Sequence, residues 1–144
     1  METNYQKLER RLEETSRLGG IMGILHWDQE VIMPSGAAES RASQIGVLAG
    51  TIHEKSTDPE MGKLLDALDK ENSFTAFEQC NIREARREYD METKVPKDLV
   101  IEMAELSSKG HQVWVKARSE NKFSDFAPIL KQLIERKKRW AEYV

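Results

Sequence analysis

The chain has 144 residues, 39% hydrophobic and 33% charged, and its 22 basic residues against 25 acidic ones give a formal net charge of -3. A chain of this length fits one domain that buries roughly two-thirds of the surface exposed when it is unfolded. The near-balanced charge provides no field for nucleic acid or an anionic membrane, and the composition is that of a helix-rich globular domain rather than a disordered one.

Met1 to Arg11 is polar and charged, without the apolar run and small-residue cleavage site of a secretory signal. Leu8, Leu12, Leu18, Ile21, Met22 and Leu25 follow at helical spacing, with Thr3 or Asn4 as the cap, and predict a helix from about Asn4 to Leu25. Gly19, Gly20 and Gly23 weaken its last turns and are expected to serve close packing or an early end. His26 to Pro34 shows no 3.6-residue period and reads as an irregular link. Its apolar stretch Val31-Ile32-Met33 is far short of the ~20 residues that span a bilayer.

Ala38, Ala42, Ile45, Leu48, Ala49 and Ile52 predict a second helix from Ala37 to Lys55, capped by Ser35. Asp58-Pro59-Glu60 starts a third, since the aspartate accepts from free amides and proline suits the first helical position. Its apolar residues are Met61, Leu64, Leu65 and Leu68, and it is expected to end near Glu71-Asn72. Ser73 is expected to cap a fourth helix carrying Phe74, Phe77, Ile82, Ala85 and Tyr89, which ends before Pro96. In the fifth, Leu99, Met103, Leu106, Gly110, Val113 and Ala117 step by four and three, a heptad-like seam reinforced by Trp114. Ser124-Asp125 opens the sixth, with Phe126, Ile129, Leu130, Leu133, Ile134, Trp140, Ala141 and Val144 on one side. No glycine or proline stop follows Tyr143-Val144, so the chain is expected to be cut from something longer. The fold class is therefore all-α, a bundle or array of about six helices in one domain, residues 1–144.

Few residues suggest chemistry. His53-Glu54-Lys55-Ser56-Thr57 begins like a helical zinc motif but lacks its second histidine. His26, His53 and His111 lie on three segments with no i, i+3 or i, i+4 pairing. Cys80 has no neighbouring histidine base and reads as a buried small apolar group. A lone cysteine suits a reducing compartment, and the cytoplasm is the expected location. Arg83, Arg86 and Arg87, and the basic run from Lys131 to Arg139, are interleaved with Glu84, Glu88 and Glu135 and read as solvated, partly paired faces. Leu25-His26-Trp27-Asp28-Gln29-Glu30 stands out, because polar side chains and a tryptophan on an irregular link commonly line a cleft. The alternative is a tryptophan anchor whose indole N–H is satisfied by Asp28 or backbone.

Gly23-Ile24-Leu25-His26-Trp27-Asp28-Gln29 and Met33-Pro34-x-Gly36-Ala37-Ala38-x-x-Arg41-Ala42-x-Gln44 resemble the opening of carboxypeptidase Taq family zinc carboxypeptidases. His53-Glu54 with Thr57-Asp58-Pro59, Asn81-Ile82-Arg83-Glu84, Val95-Pro96, Trp114 with Ala117-Arg118, and Phe123 through Leu130 continue the resemblance in the same order. It implies the first part of a mostly helical, zincin-like groove fold, related in architecture to neurolysin and angiotensin-converting enzyme, whose N-terminal helices form a wall and roof of the groove. The family's H-E-x-x-H and glutamate ligand fall beyond Val144, so no catalytic or metal-binding residue is assigned in this chain. Zinc or another divalent metal would belong to the parent enzyme, and this chain alone is expected to be inactive.

Trp27, Asp28, Gln29 and Arg41 are the expected groove-lining residues. The expected partners are the remaining C-terminal part of the parent enzyme, peptide substrate only in the full enzyme, and a second copy through the apolar stripes of the fifth and sixth helices. A free-standing helical interaction module derived from the same family is the competing expectation.

Overall fold

A computed structural model describes residues 2–144. Among these the fold is all-α, with no strand. The elements are α1 (Asn4–Val31), a single 3-10 turn (Ser35–Ala37), α2 (Ala38–Ser56), α3 (Pro59–Leu68), α4 (Ala76–Glu92), α5 (Lys97–Ser119) and α6 (Phe123–Ala141).

Local chemistry fixes most of the starts. Thr3 and Gln6 form a capping box at α1, where the Gln6 amide donates to the Thr3 hydroxyl at 3.2 Å and the Thr3 amide donates to Gln6 Oε1 at 2.9 Å. Asp58 accepts from the Glu60 amide at 2.9 Å, and Pro59 occupies the first position of α3 as expected. Helix α4 starts later than its expected cap Ser73. Thr75 and Glu78 form a second capping box there, which leaves Phe74 outside the helix to pack against Tyr5 with ring centroids 6.1 Å apart. Helix α3 stops at Leu68, short of Glu71, in a tight turn where Lys70 and Glu71 donate to Ala67 and Leu68. Ser35 lies in the 3-10 turn and does not cap α2, which begins after Ala37 without a side-chain cap. The α5–α6 link turns at Asn121, whose φ of 55° lies in the left-handed region that asparagine tolerates, and α6 begins at Phe123.

The largest departure from the sequence reading is in α1. Residues 26–31, expected to form an irregular link, continue the helix to Val31. The apparent break came from Gln29, a polar residue at an inward position. Its side chain is buried and its hydrogen bonds are met by α5, so the inner stripe Met22, Leu25, Gln29 keeps steps of three and four. The glycines Gly19, Gly20 and Gly23 neither end the helix nor serve a close contact, since a Cβ at each would meet nothing within 4 Å. The close approach occurs elsewhere. Gly46 and Gly50 let α2 lie against α5, where a Cβ would come within 2.6 Å of Glu105 and 2.8 Å of Ile101.

One apolar cluster joins the start of α1 to α3 and α4 through Tyr5, Leu8, Met61, Leu65, Leu68, Ile82 and Ala85. A smaller one gathers Val95, Leu99 and Met103, with Val100, Trp140 and Tyr143 against it. Helix α5 packs on α2 and on α6. Its expected seam holds at Leu99, Met103, Gly110 and Ala117, which are buried, whereas Trp114 is exposed and stacks on His111. Helix α6 has no buried residue and is tied to α5 by Arg136, whose Nε and Nη2 donate to Glu102 Oε1 at 2.8 and 2.6 Å. Cys80, expected to be buried, is exposed on α4, with Arg83 Nη2 3.3 Å from its sulfur.

Candidate functional site

The last turns of α1 carry the polar group that the sequence singled out, and the helix sends its members in different directions. Arg41, near the start of α2, is half-buried and spends each guanidinium nitrogen on a separate partner. Its Nη2 donates to Asp28 Oδ2 at 2.5 Å, Nη1 to the Leu25 carbonyl at 2.7 Å, and Nε to Gln44 Oε1 at 3.1 Å. Leu25 and Asp28 are three residues apart on one side of α1, so a single planar fork grips both. This brace fixes the angle at which the chain turns from α1 into α2.

Gln29 makes the matching brace to α5. Its Oε1 accepts from the Ser108 hydroxyl at 2.6 Å and its Nε2 donates to the Ser108 carbonyl at 3.2 Å, with His111 Nδ1 at 3.5 Å. Both Gln29 and Ser108 are buried. His111 Nε2 lies 3.3 Å from Glu30 Oε1 and its ring stacks on Trp114 with centroids 5.9 Å apart. Ser108 was not singled out in the sequence, His111 was weighed only as an unpaired histidine, and Glu30 only as a member of the polar stretch after Leu25. A signal existed, because residues 108 and 111 are three apart on α5 and present a hydroxyl and an imidazole on one helix face, but nothing local connects them to Gln29, 79 residues earlier.

The structure thus brings Asp28 and Arg41 together and joins Gln29 to α5, while Trp27 stands apart on the outer side of α1, 55% exposed. Asp28 is engaged by Arg41 rather than by the indole of Trp27. A broad apolar opening lies elsewhere, a groove of about 500 Å³ bordered by Met22, Ile52, His53, Met91, Val95 and Trp140. None of the four singled-out residues borders it.

Metal ligation finds no matching donor set. Among the described residues no group of three or more His, Cys, Asp or Glu side chains could hold a metal ion. His26 is exposed on α1, His53 is buried beside the apolar groove, and His111 faces Glu30. Glu54, next to His53, is engaged by Lys97 Nζ at 2.5 Å. These residues do not fit a catalytic zinc site. Among the described residues no helix is long and apolar enough to cross a membrane.

Residues 7–144 match the Carboxypeptidase Taq (M32) metallopeptidase family. The chain is 30% identical over 144 residues to Thermostable carboxypeptidase 1 of Thermus thermophilus, covering 98% of this chain and 28% of that protein. It is 31% identical over 133 residues to Carboxypeptidase 1 of Bacillus subtilis, covering 92% and 26%. The crystal structure of BsuCP superposes with a TM-score of 0.93 at 29% identity, and that of the M32 carboxypeptidase from Deinococcus radiodurans R1 with 0.73 at 32%. Each superposition covers 97% of this chain and 28% of the other. The match lies in the N-terminal part of those longer proteins, and this chain spans little more than a quarter of their length. The chain belongs to the M32 carboxypeptidase Taq family.

Proposed function

We propose that this chain is the N-terminal groove wall of a metal-dependent carboxypeptidase that removes C-terminal amino acids from peptides. The observation that carries this reading is the superposition of nearly the whole chain on only 28% of the M32 carboxypeptidase from Deinococcus radiodurans R1, at a TM-score of 0.73, and on the same share of BsuCP, at 0.93. The remaining C-terminal part of an M32 polypeptide is the partner, and zinc or another divalent metal belongs to that part. Peptide is a ligand of the assembled enzyme, and its setting is the cytoplasm, in keeping with one exposed, unpaired cysteine.

In this reading the chain contributes shape and not bond breaking. The Arg41 fork and the Gln29–Ser108 pair hold the end of α1 to α2 and α5, so a wall built on α1 keeps its position when peptide enters. Trp27, Asp28, Gln29 and Arg41 act as the groove-side group. Asp28, Gln29 and Arg41 set the backbone, and Trp27 offers an aromatic surface.

The test is a hybrid in which this chain replaces the matching N-terminal part of Bacillus subtilis Carboxypeptidase 1. Loaded with zinc, the hybrid releases C-terminal amino acids from peptides, whereas the 144-residue chain alone releases none and takes up no stoichiometric zinc. Changing Trp27 to Ala or Arg41 to Lys in the hybrid raises KM or lowers kcat. If neither constant moves, the four residues are reduced to packing and the groove assignment fails.

A further inference from the structure

Resting on the family assignment, we infer that the outer face of the second half of α1, with Trp27 at its groove-side edge, is the surface on which the remaining part of an M32 polypeptide packs, helix against helix. Three observations converge on it. First, Ile24 is 65% exposed, Trp27 55% and Val31 62%, and with Gly20 they step by four, three and four along one line of the helix. That line lies opposite the inner stripe Met22, Leu25 and Gln29, so large apolar side chains stand on the side of this stretch that faces away from α2 and α5. Large apolar side chains in a line on a helix are normally covered by a further element.

Second, Leu18 to Trp27 contains no Asp, Glu, Lys or Arg in a chain that is 33% charged. A helix face built for water would carry charges there, as the first half of α1 does with Glu9, Arg10 and Glu13. Third, Gly19, Gly20 and Gly23 cost helix stability of roughly 1 kcal/mol each relative to alanine, and in this chain their missing side chains accommodate nothing. Bare glycine surface beside large apolar side chains lets another helix approach closely.

The occupant follows from the proportions of the relatives. Nearly all of this chain superposes on 28% of the M32 carboxypeptidase from Deinococcus radiodurans R1, so most of such a polypeptide lies outside the shared part and must meet it somewhere. The inner side of α1 at Leu25, Asp28 and Gln29 is already taken by α2 and α5, through Arg41 and Ser108, while Met22 borders the apolar groove. The line of Ile24, Trp27 and Val31 is the exposed apolar side of this stretch and the side we assign to the rest of the fold.

Cysteine reactivity tests this in two proteins. In this chain with Cys80→Ser, an Ile24→Cys variant reacts with maleimide at the rate of an unfolded peptide. At the position aligned with Ile24 in full-length Bacillus subtilis Carboxypeptidase 1, a cysteine reacts at least about a hundredfold more slowly in the folded state, and dilution leaves that rate unchanged. The position aligned with Val31 gives a second readout where the first variant does not fold. Equal reactivity in the two proteins overturns the inference. Protection that disappears on dilution overturns it too, because a second copy would then be the cover. Protection in the full-length enzyme, together with unchanged KM and kcat for the Trp27 and Arg41 variants, would keep the packing surface and remove the groove reading.

Discussion

The two halves of α1 belong to one continuous helix but satisfy different demands. From Asn4 to Thr15 the helix buries Tyr5 and Leu8 against α3 and α4 and turns Glu9, Arg10 and Glu13 to solvent. Asn81 of α4 donates to the Tyr5 hydroxyl at 2.9 Å, so even the polar tip of that core residue is placed. From Leu18 to Val31 the inner side is held by polar braces to α2 and α5, and the outer side carries Ile24, Trp27 and Val31 in the open. The first half is amphipathic and complete within this chain. The second half is positioned by hydrogen bonds and leaves apolar surface uncovered, which is the pattern expected of a wall that a larger fold covers.

This contrast is broken most directly by truncating one side chain in each half. Leu65, with no solvent exposure, belongs to the cluster that covers the first half of α1, so Leu65→Ala lowers unfolding free energy by about 3 kcal/mol. Ile24→Ala in the 144-residue chain changes it by less than about 0.5 kcal/mol, because an exposed side chain leaves no cavity. Urea unfolding of both variants measures the difference. Equal losses would mean that the outer face of α1 is already buried in solution, by self-association or by a conformation other than this one.

The braces of the second half give the next largest effect. Gln29→Leu leaves the Ser108 hydroxyl and carbonyl buried without their partner and costs about 2 kcal/mol. Ser108→Ala in the same background restores part of that loss, because one orphaned group is then gone. A double-mutant cycle reads the coupling. Strict additivity would remove the brace.

These residues also explain how far the sequence could be read. Cap chemistry and apolar spacing are local, so the start at Asp58-Pro59 and the seam from Leu99 to Ala117 were visible in the string. The family blocks around Trp27 and Arg41 led to the right family for a similar reason, since they are contiguous. The continuation of α1 past Leu25 was not visible. It depends on Ser108 satisfying Gln29 across 79 residues, and a polar residue at an inward position looks like the end of a period until that partner is known. The shifted start of α4 had a local signal, the Thr75-to-Glu78 capping box, that competed with Ser73 and won because both of its hydrogen bonds form. The four singled-out residues were expected to form one group, and only the rotation of about 100° per residue along a helix separates Trp27 from Asp28 and Gln29.

Glycines distinguish covered from uncovered helix surface with opposite signs. A Cβ at Gly62 of α3 would lie 2.5 Å from the Tyr89 hydroxyl, so Gly62→Ala displaces that ring and lowers stability by about 1 kcal/mol despite the gain in helix propensity. A Cβ at Gly20 would meet nothing, and Gly20→Ala raises the stability of this chain by roughly 0.5–1 kcal/mol. Thermal melts of the two variants should move in opposite directions. A loss at Gly20 would show that something in the chain already lies against that face.

The smallest expected effect is ionic and belongs to the first half of α1. Arg11 Nη1 lies 2.8 Å from Asp58 Oδ2, and Asp58 also caps α3. The Arg11 guanidinium, followed by the Glu60 amide, holds the Asp58 carboxyl below its usual value of 3.8. The folded state therefore favours the ionised form, and its contribution to stability is fully present above pH 3.8 and is lost as pH falls through the lowered value. Asp58→Asn isolates this term, because asparagine caps a helix about as well as aspartate while carrying no charge. At pH 7 the variant is less stable by under about 1 kcal/mol, a ceiling set by the solvent around a partly exposed pair, and salt reduces the gap. Measured by denaturant unfolding from pH 7 downward, the gap should close only once the pH drops below 3.8. A gap of the same size at pH 7 and at pH 2 would mean that the carboxylate acts through shape and capping alone, and the ionic clamp between α1 and α3 would have no part in what separates the two halves of the helix.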